Sequence, residues 1–303
     1  MQSCGRWVPN LIIIKMKNAE NQHILSQVYL KGFGYQDANN QWKISTLDAS
    51  LIETMEKYNK KWISQKSIES FLSEDNIFDL VFTDDIDVKF YENFNSHVEN
   101  LFLQINNDLD SIKSLSKTSE AALYGMIINL LIRTKLFRNS LNLILKDENR
   151  KKVLLNEIFS FLPESELIRK YLKLLPKKSE LNFISLLLYE RILTGFAEFY
   201  YSILETDPNE GWFTSDNPVM IKDFVTINSI FSRNTQIIFP INRKYLVYCF
   251  HPNNKIIDYK NLQNKSCTNC DLKMKDKILE DFVNYNHFIG SQYFIFPNEL
   301  LWK

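Results

Sequence analysis

Residues 91–110, YENFNSHVENLFLQINNDLD, carry the pattern that decides the fold class. Their apolar side chains recur at helical intervals and form one stripe, made by Phe94, Val98, Leu101, Phe102, Ile105 and Leu109. Such a stripe predicts an amphipathic helix with one buried face. Residues 121–137 are apolar nearly all round until Arg133, which predicts a further helix at the centre of a bundle.

Two apolar stretches, residues 121–132 and 181–204, have to be distinguished from membrane spans. A helix rises about 1.5 Å per residue, so the first stretch is too short to cross a bilayer. The second carries Glu190, Arg191 and Glu198 near its middle, and charged groups are costly in hydrocarbon. Both are therefore predicted to be buried core helices, and no membrane partner is expected.

The pattern changes after Asp207-Pro208, where short β-type runs separated by Asn, Pro and Ser begin, with one helix at 271–284 among them. At the other end of the chain, 21–34 has helical spacing closed by Gly34, and 35–47 is typical of a hairpin. The sequence predicts an α+β fold, a mainly helical bundle with a small antiparallel or mixed sheet from the C-terminal third.

The domain organisation follows from the lack of a low-complexity linker or an internal repeat. Residues 16–303 are predicted to form one domain, with a helical part at 48–206 and a β-rich part at 207–303. Residues 1–15 are interpreted as an extension, because an ordinary polar protein start follows Met16. A chain beginning at Met16 is expected to keep its melting temperature. No secretory signal is present, so the predicted location is the cytoplasm.

The composition narrows the functional classes. Hydrophobic residues make up 45% of the chain, which is too much apolar surface for a disordered protein. The net charge is zero, so no field of the whole protein recruits nucleic acid or anionic membrane. The chain has 7 glycines and lacks a Walker A loop and a dinucleotide fingerprint, which disfavours common nucleotide-dependent enzymes. Abundant Asn, Lys and Ile are typical of an AT-rich, bacterial genome.

Charge is spread unevenly along the chain. Residues 69–110 hold eleven acidic residues and one basic residue, and residues 131–191 hold thirteen basic and seven acidic residues. One interpretation is that these helical faces attract each other or are solvated. The other is that the basic segment forms a groove for a phosphate-bearing ligand.

Cys267 and Cys270 have the spacing of a zinc knuckle, and Cys249 and His251 offer two more ligands. A structural zinc site needs its second pair on a tight turn, whereas Cys249 and His251 lie on a strand-like run. No zinc site is therefore predicted, and the thiols are expected to be half-buried or at the surface.

The most distinctive polar segment is residues 212–219, WFTSDNPV. In one interpretation it is a turn, in which Ser215 or Asp216 accepts backbone N–H groups and Pro218 fixes the backbone. In the other, Ser215 and Asp216 lie at a strand end that faces a cleft, with Asn217 in support. The sequence leaves both interpretations open.

Four other polar residues stand out. His23 is expected to open a helix, where the helix dipole favours a neutral imidazole, either as a cap or as a base. Arg133 and Arg138 follow a long apolar run, and a buried arginine needs a carboxylate or a substrate phosphate as partner. Glu99, on the flank of the 91–110 stripe, is the candidate carboxylate.

These positions resemble a known family. Residues 22–33, QHILSQVYLKGF, are similar to the N-terminal signature of the bacterial domain of unknown function numbered 4238. The similarity continues at later positions: Arg133, Arg138, residues 214–218, residues 238–241, and Asn284 or Asn286 before the strand at 291–294. The resemblance covers residues 20–297 and implies no particular activity, because the family is uncharacterised by name.

Two classes of function remain. The polar residues are expected to converge in one pocket: His23, Glu99, Arg133, Ser215, Asp216 and Asn284. In the first class the protein hydrolyses a phosphodiester or a nucleotide, as an effector nuclease would. His23 is then the general base, and Asp216 orients it or binds a divalent ion. The remaining residues bind substrate or support the site: Arg133, Arg138, Ser215 and Asn284 as substrate ligands, Glu99 and Asn217 in support.

In the second class the protein is a non-catalytic interaction protein with a protein partner, and the same polar set is a structural network. A shared, solvent-open cavity would favour the enzyme, whereas complete burial with mutual hydrogen bonding would favour the network. Replacing His23 or Asp216 by Ala should leave the fold of an enzyme intact, but should cost about 1–3 kcal/mol in a network. No cofactor is predicted, and a divalent metal stays open.

Overall fold

The computed structural model describes residues 21–54, 60–80, 90–162, 165–196, 198–207, 211–222, 234–254 and 264–297. The extension interpreted at residues 1–15 lies outside these ranges, so its dispensability stays a prediction.

Eight α-helices lie in the described ranges. They are α1 (Gln27–Lys31), α2 (Phe90–Ile112), α3 (Lys117–Arg133), α4 (Lys135–Lys146), α5 (Glu148–Phe161), α6 (Ser165–Leu174), α7 (Lys177–Phe196) and α8 (Leu272–Phe288). The helix predicted at 91–110 is confirmed as α2, and the helix predicted at 271–284 is confirmed as α8. The stretch 121–137 is broken after Arg133, because the Thr134 hydroxyl accepts the N–H of Phe137 and so caps the start of α4.

The strands in the same ranges are β1 (Asn21–His23), β2 (Tyr35–Gln36), β3 (Trp42–Asp48), β4 (Ile63–Ser67), β5 (Ser73–Asp75), β6 (Tyr200–Glu205), β7 (Thr214–Ser215), β8 (Met220–Lys222), β9 (Gln236–Pro240), β10 (Tyr245–Phe250), β11 (Ser266–Asn269) and β12 (Tyr293–Phe296). One sheet has the order β11-β6-β10-β9-β8 and is antiparallel except where β11 runs parallel to β6. A second has the order β2-β3-β12-β7, with β4 paired to β3, and β1 pairs with β5 alone.

The predicted α+β class is confirmed, but the strands extend beyond the C-terminal third. Strands β1 to β5 precede the helical bundle, and β12 joins the second sheet by pairing with β3. The apolar stretch 181–204 is not one helix: α7 ends at Phe196, and β6 follows because β10 satisfies its backbone groups. The hairpin predicted at 35–47 is confirmed by the pairing of β2 with β3.

The single helix predicted at 21–34 is wrong. Residues 21–23 form β1, and α1 begins only after Ser26, whose hydroxyl accepts the N–H of Tyr29 as an N-cap. The helix ends at Lys31, and the C-cap is Gly32 rather than Gly34. A side chain at position 32 would meet Asn242, because its Cβ would lie 2.9 Å from that residue's Cβ. Glycine is therefore required here for close approach.

Tyr29 connects the amino-terminal segment to the two sheets. Its side chain is completely buried, and its hydroxyl lies 2.6 Å from the Thr214 hydroxyl and donates to the Pro240 carbonyl at 2.9 Å. The ring stacks on Phe239 with centroids 5.5 Å apart. On the other side, α8 packs Phe282 against Phe213. The 212–219 segment is thus held between α1 and α8.

No helix in the described ranges has the length and hydropathy that a bilayer-crossing segment needs. The predicted cytoplasmic location is a separate matter and stays a prediction.

Candidate functional site

Gln22 fixes the segment that follows β5. It is completely buried on β1, which pairs antiparallel with β5. Its Nε2 donates to Asp79 Oδ1 at 2.8 Å, and its Oε1 accepts the N–H of Phe78 at 2.6 Å. Because both ends of the amide are used, Gln22 holds residues 78 and 79 in one position relative to β1.

His23 is the last residue of β1, so the expectation that it opens a helix is wrong. Its Nε2 lies 2.9 Å from the Glu69 carbonyl oxygen, which can only accept, so Nε2 carries the proton and Nδ1 is the basic nitrogen. Burial lowers the pKa of His23 below its ordinary value of 6.5, and Arg133 lowers it further. The imidazole is therefore neutral at pH 7, because of burial rather than a helix dipole.

The lowered pKa of His23 makes the stability of the folded protein depend on pH. As pH falls below 6.5, the unfolded chain takes up a proton at His23 before the folded protein does. The free energy of unfolding therefore decreases between pH 6.5 and the lower pKa of His23 in the folded protein. Glu99 and the Glu69 carbonyl act in the opposite direction and raise the pKa.

Arg133 is bonded to three parts of the chain, and its side chain is 1% exposed. Its Nη1 donates to Glu99 Oε1 at 2.7 Å and to Asn129 Oδ1 at 3.2 Å, and its Nη2 donates to the main-chain oxygen of His23. The expected pairing of Arg133 with Glu99 is confirmed. This guanidinium therefore links α3 to α2 and to β1.

Arg138 is also buried, but both of its hydrogen-bond acceptors are neutral. Nη1 donates to Asn182 Oδ1 at 2.9 Å, and Nη2 donates to the Ile77 carbonyl at 3.1 Å. Burial lowers the pKa of Arg138, and Arg133 lowers it too. Glu74 acts on this charge from a distance, but its own carboxylate is paired with Lys135 at 2.8 Å.

The two guanidinium groups meet over one aromatic ring. Arg133 and Arg138 lie 5.3 and 5.0 Å from the centroid of Phe78, and Phe78 is stacked on Tyr91 at 5.0 Å. Asn95 lies one helical turn after Tyr91 on α2 and accepts from Asn129 at 2.7 Å. We call Phe78, Tyr91, Asn95, Arg133 and Arg138 the arginine cluster.

The arginine cluster has more donors than acceptors. The Tyr91 hydroxyl, Asn95 Nδ2 and Arg133 Nε are buried and have no hydrogen-bond partner. Burial raises the pKa of Tyr91 to about 12, so its phenol keeps the proton and can donate. Of the two cations, only Arg133 is directly bonded to a carboxylate. An unpaired buried donor costs about 1–3 kcal/mol, so the cluster is suited to an anionic or acceptor-rich group.

The 214–218 segment belongs to a second network, which we call the turn network. The Ser215 hydroxyl donates to Asn286 Oδ1 at 2.6 Å and accepts the N–H of Asn217 at 3.0 Å. The Ser291 hydroxyl also donates to Asn286 Oδ1 at 2.6 Å, and it accepts from Asn217 Nδ2 at 2.9 Å. These contacts join β7 to the end of α8.

Asp216 fixes the start of β12 in the turn network. Both of its carboxylate oxygens accept the N–H of Gln292 at 3.1 Å, and Oδ1 also accepts the N–H of Tyr293 at 3.2 Å. The residue is 9% exposed, and burial raises its pKa while these N–H groups lower it. This geometry fits the turn interpretation of the segment.

Asn286, not Asn284, is the residue that meets Ser215, so the expected role of Asn284 needs correction. Ile278, Phe282 and Asn286 follow one another at intervals of four and share the buried face of α8. Asn284 lies on the exposed side of the same helix. The four-residue spacing of Ile278, Phe282 and Asn286 in the sequence would have predicted Asn286, rather than Asn284, on the buried face.

The structure places the predicted residues in two networks rather than in one pocket. Arg133 is bonded to both His23 and Glu99, while Ser215, Asp216 and Asn217 belong to the turn network. A groove of about 810 Å³ between α4, β8 and α8 is lined by Asn217, but not by His23, Arg133 or Asp216.

Within the described ranges, no group of three or more His, Cys, Asp or Glu side chains is placed to hold a metal ion. Cys267 Sγ lies 3.9 Å from Glu205 Oε2, and burial raises the pKa of its thiol. The absence of a zinc site stays a prediction, and the involvement of a divalent metal stays open.

Sequence reasoning missed several residues of the two networks: Gln22, Phe78, Tyr91, Asn95, Asn129, Asn182 and Ser291. A signal existed for Asn95 and Asn129, which occupy buried positions on otherwise apolar helix faces. A polar residue at such a position needs a buried partner. No comparable signal marks Phe78, because Gln22, a residue distant in sequence, fixes its position.

Comparison with known proteins gave one match. The family model described as "Protein of unknown function (DUF4238)" matches residues 21–297. No curated protein and no solved structure matches the chain.

Proposed function

The chain belongs to the DUF4238 family, and we propose that it binds a small phosphate-bearing ligand at the arginine cluster and acts as a hydrolase of a phosphodiester or a nucleotide. One observation carries the proposal: of the two buried guanidinium groups only Arg133 is bonded to a carboxylate, and three buried donors, one of them Arg133 Nε, have no partner. A protein interior seldom leaves several donors of this kind unpaired.

A phosphate group fits this arrangement because all of its free oxygens are acceptors. Arg133 Nε, the Tyr91 hydroxyl and Asn95 Nδ2 would each donate to it. Its negative charge would compensate Arg138, whose two acceptors are neutral. Hydrogen bonds between an ionised donor and an ionised acceptor are about twice as strong as neutral ones.

The expected stabilisation by phosphate tests the binding step. Inorganic phosphate, added at constant ionic strength, should raise the melting temperature. The free energy of unfolding should increase by about 2.7 kcal/mol when the phosphate concentration is 100 times the dissociation constant. Arg138→Gln should remove most of this response, and Arg169→Gln, on exposed surface, should keep it. Differential scanning fluorimetry measures the response. Equal responses in all three proteins would contradict the proposal.

His23 supplies the base for the hydrolytic step. It is joined to the cluster through the bond from Arg133 to its main-chain oxygen. Its Nδ1, which has only the Gln27 side-chain nitrogen as a partner at 3.5 Å, is the nitrogen that takes a proton from water. We assign the catalytic base to His23 alone, since backbone N–H groups occupy both oxygens of Asp216. Whether a divalent ion assists is decided by running the assay with and without a chelator.

His23→Asn is expected to lower the hydrolysis of bis(p-nitrophenyl) phosphate at least about 100-fold, the range for loss of a general base. His287→Asn, which changes an exposed histidine on α8, should have no effect. Wild-type activity should fall as pH drops below 6.5, because protonation removes the base and the pKa lies below that value. Unchanged activity in His23→Asn would remove the catalytic part of the proposal.

A non-catalytic interaction protein is the second candidate. It is favoured by the turn network, whose buried polar groups are bonded to one another and to the backbone. Phosphate binding without hydrolysis would leave the cluster as a ligand-binding site in a protein of this second kind.

A further inference from the structure

A groove lies between α4, β8 and the C-terminal end of α8. Its volume is about 810 Å³, within the range of about 300–1,000 Å³ that is typical of sites for small molecules. Leu136, Phe137 and Ile144 of α4 form one wall, and Tyr285 and Phe288 of α8 form the other. Asn217 and β8 lie between the two helices.

The mouth of the groove exposes apolar surface. Phe288, which lines the groove, is 88% exposed. An exposed aromatic ring at the edge of a concave site is available to pack against the apolar part of a ligand.

Besides the hydroxyl groups of Thr134, Ser140 and Tyr285, the polar lining of the groove is an ion pair and an amide. Lys222 and Asp281 form an ion pair at 2.8 Å, so their charges compensate each other. Asn217 is 6% exposed, and its Oδ1 has no hydrogen-bond partner although its Nδ2 donates to Ser291. The groove thus offers one unpaired acceptor and no uncompensated charge.

We propose that this groove binds an uncharged amphipathic small molecule, with an apolar body between α4 and α8 and a hydroxyl or N–H donor directed to Asn217 Oδ1. An ionised ligand would find no free counter-charge among the lining residues. An entirely apolar ligand would leave the Asn217 oxygen unpaired. The site is separate from the arginine cluster, and phosphate binding there has no bearing on it.

The test uses N-phenyl-1-naphthylamine, an uncharged fluorescent probe with one N–H donor, whose emission rises in apolar surroundings. Ser140 lines the groove and is exposed on α4, so Ser140→Trp should fill the groove and weaken probe binding by at least 10-fold, or about 1.4 kcal/mol. Asn139→Trp places the same side chain on a neighbouring exposed position outside the lining and should leave binding unchanged. Ser140→Phe is the second, smaller variant.

A competition experiment on the unaltered protein tests the donor. Decan-1-ol should displace the probe about 3- to 10-fold more strongly than methyl nonyl ether, because the ether has no donor for Asn217. Equal displacement by the two would overturn the role of Asn217. Probe binding that is unchanged in both Ser140 variants would overturn the site. A dimer that dissociates in Ser140→Trp would show that a second copy covers the groove, and would also overturn the proposal.

Discussion

Replacing Arg133 by methionine is expected to lower the free energy of unfolding by about 3 kcal/mol, the lower end of the range for breaking a buried ion pair, because the Glu99 side chain is 20% exposed. Methionine retains the apolar stem but leaves the Glu99 carboxylate without its cation. The Asn129 side chain and the main-chain oxygen of His23 also lose a donor. Denaturation by guanidinium chloride, followed by circular dichroism, measures the change.

Two further variants separate this effect from a general loss of charge. Arg150→Met removes an arginine that is 71% exposed and has only a surface ion pair with Asp147, so it should change stability by less than about 0.5 kcal/mol. In the Arg133→Met background, Glu99→Gln should recover part of the loss, because the uncompensated charge is then absent. A cost below 1 kcal/mol for Arg133→Met would show that the pair is not buried as described.

Asp216→Ala is expected to cost about 3 kcal/mol, since hydrogen bonds to a charged group contribute about 1.5–3 kcal/mol and buried donors would be left unpaired. The donors are the N–H groups of Gln292 and Tyr293 at the start of β12. Asp216→Asn keeps one carbonyl oxygen and should cost less. Chemical denaturation again gives the values, with Asp276→Ala on the exposed side of α8 as the control.

The two expected roles of Asp216 lead to opposite results. If Asp216 belongs to the turn network, Asp216→Ala loses stability but keeps its thermal response to phosphate. If the residue is catalytic, the same variant keeps its stability and loses hydrolysis. The second outcome would restore the single-pocket interpretation made from the sequence.

Local periodicity accounts for the parts of the fold that were predicted. The stripe at 91–110 became α2, and the run at 271–284 became α8, because each helix buries one face and its sequence shows that face. The pairing of β9 with β10 likewise joins two apolar runs that are close in sequence. In these elements the pattern of burial repeats along a short stretch of chain.

Local periodicity in the sequence does not predict which distant strands pair with each other. β1 pairs with β5, and β12 pairs with β3, so the partners lie far apart in the sequence. Residues 21–23 have apolar neighbours at helical spacing, yet pairing with β5 makes them a strand. Pairing with a distant strand therefore outweighs the local helical pattern, and His23 ends a strand instead of beginning a helix.

The sequence predicted one contact of the candidate site but not the arrangement of the whole site. The pairing of Arg133 with Glu99 followed from the rule that a buried cation needs a partner. The hydrogen bonds do not bring His23 and Asp216 together, because the two side chains are bonded to different segments of backbone. The Glu69 carbonyl fixes His23, and the N–H groups of β12 fix Asp216.

The arginine cluster as a phosphate site is the central claim, and anomalous diffraction from crystals soaked in tungstate tests it most directly. Tungstate has the shape and charge of phosphate, and its metal gives a strong anomalous signal. We expect a peak within hydrogen-bond distance of Arg133 Nε, the Tyr91 hydroxyl and Asn95 Nδ2. A map with tungstate peaks elsewhere on the protein, and only an ordered water beside these three donors, would contradict it.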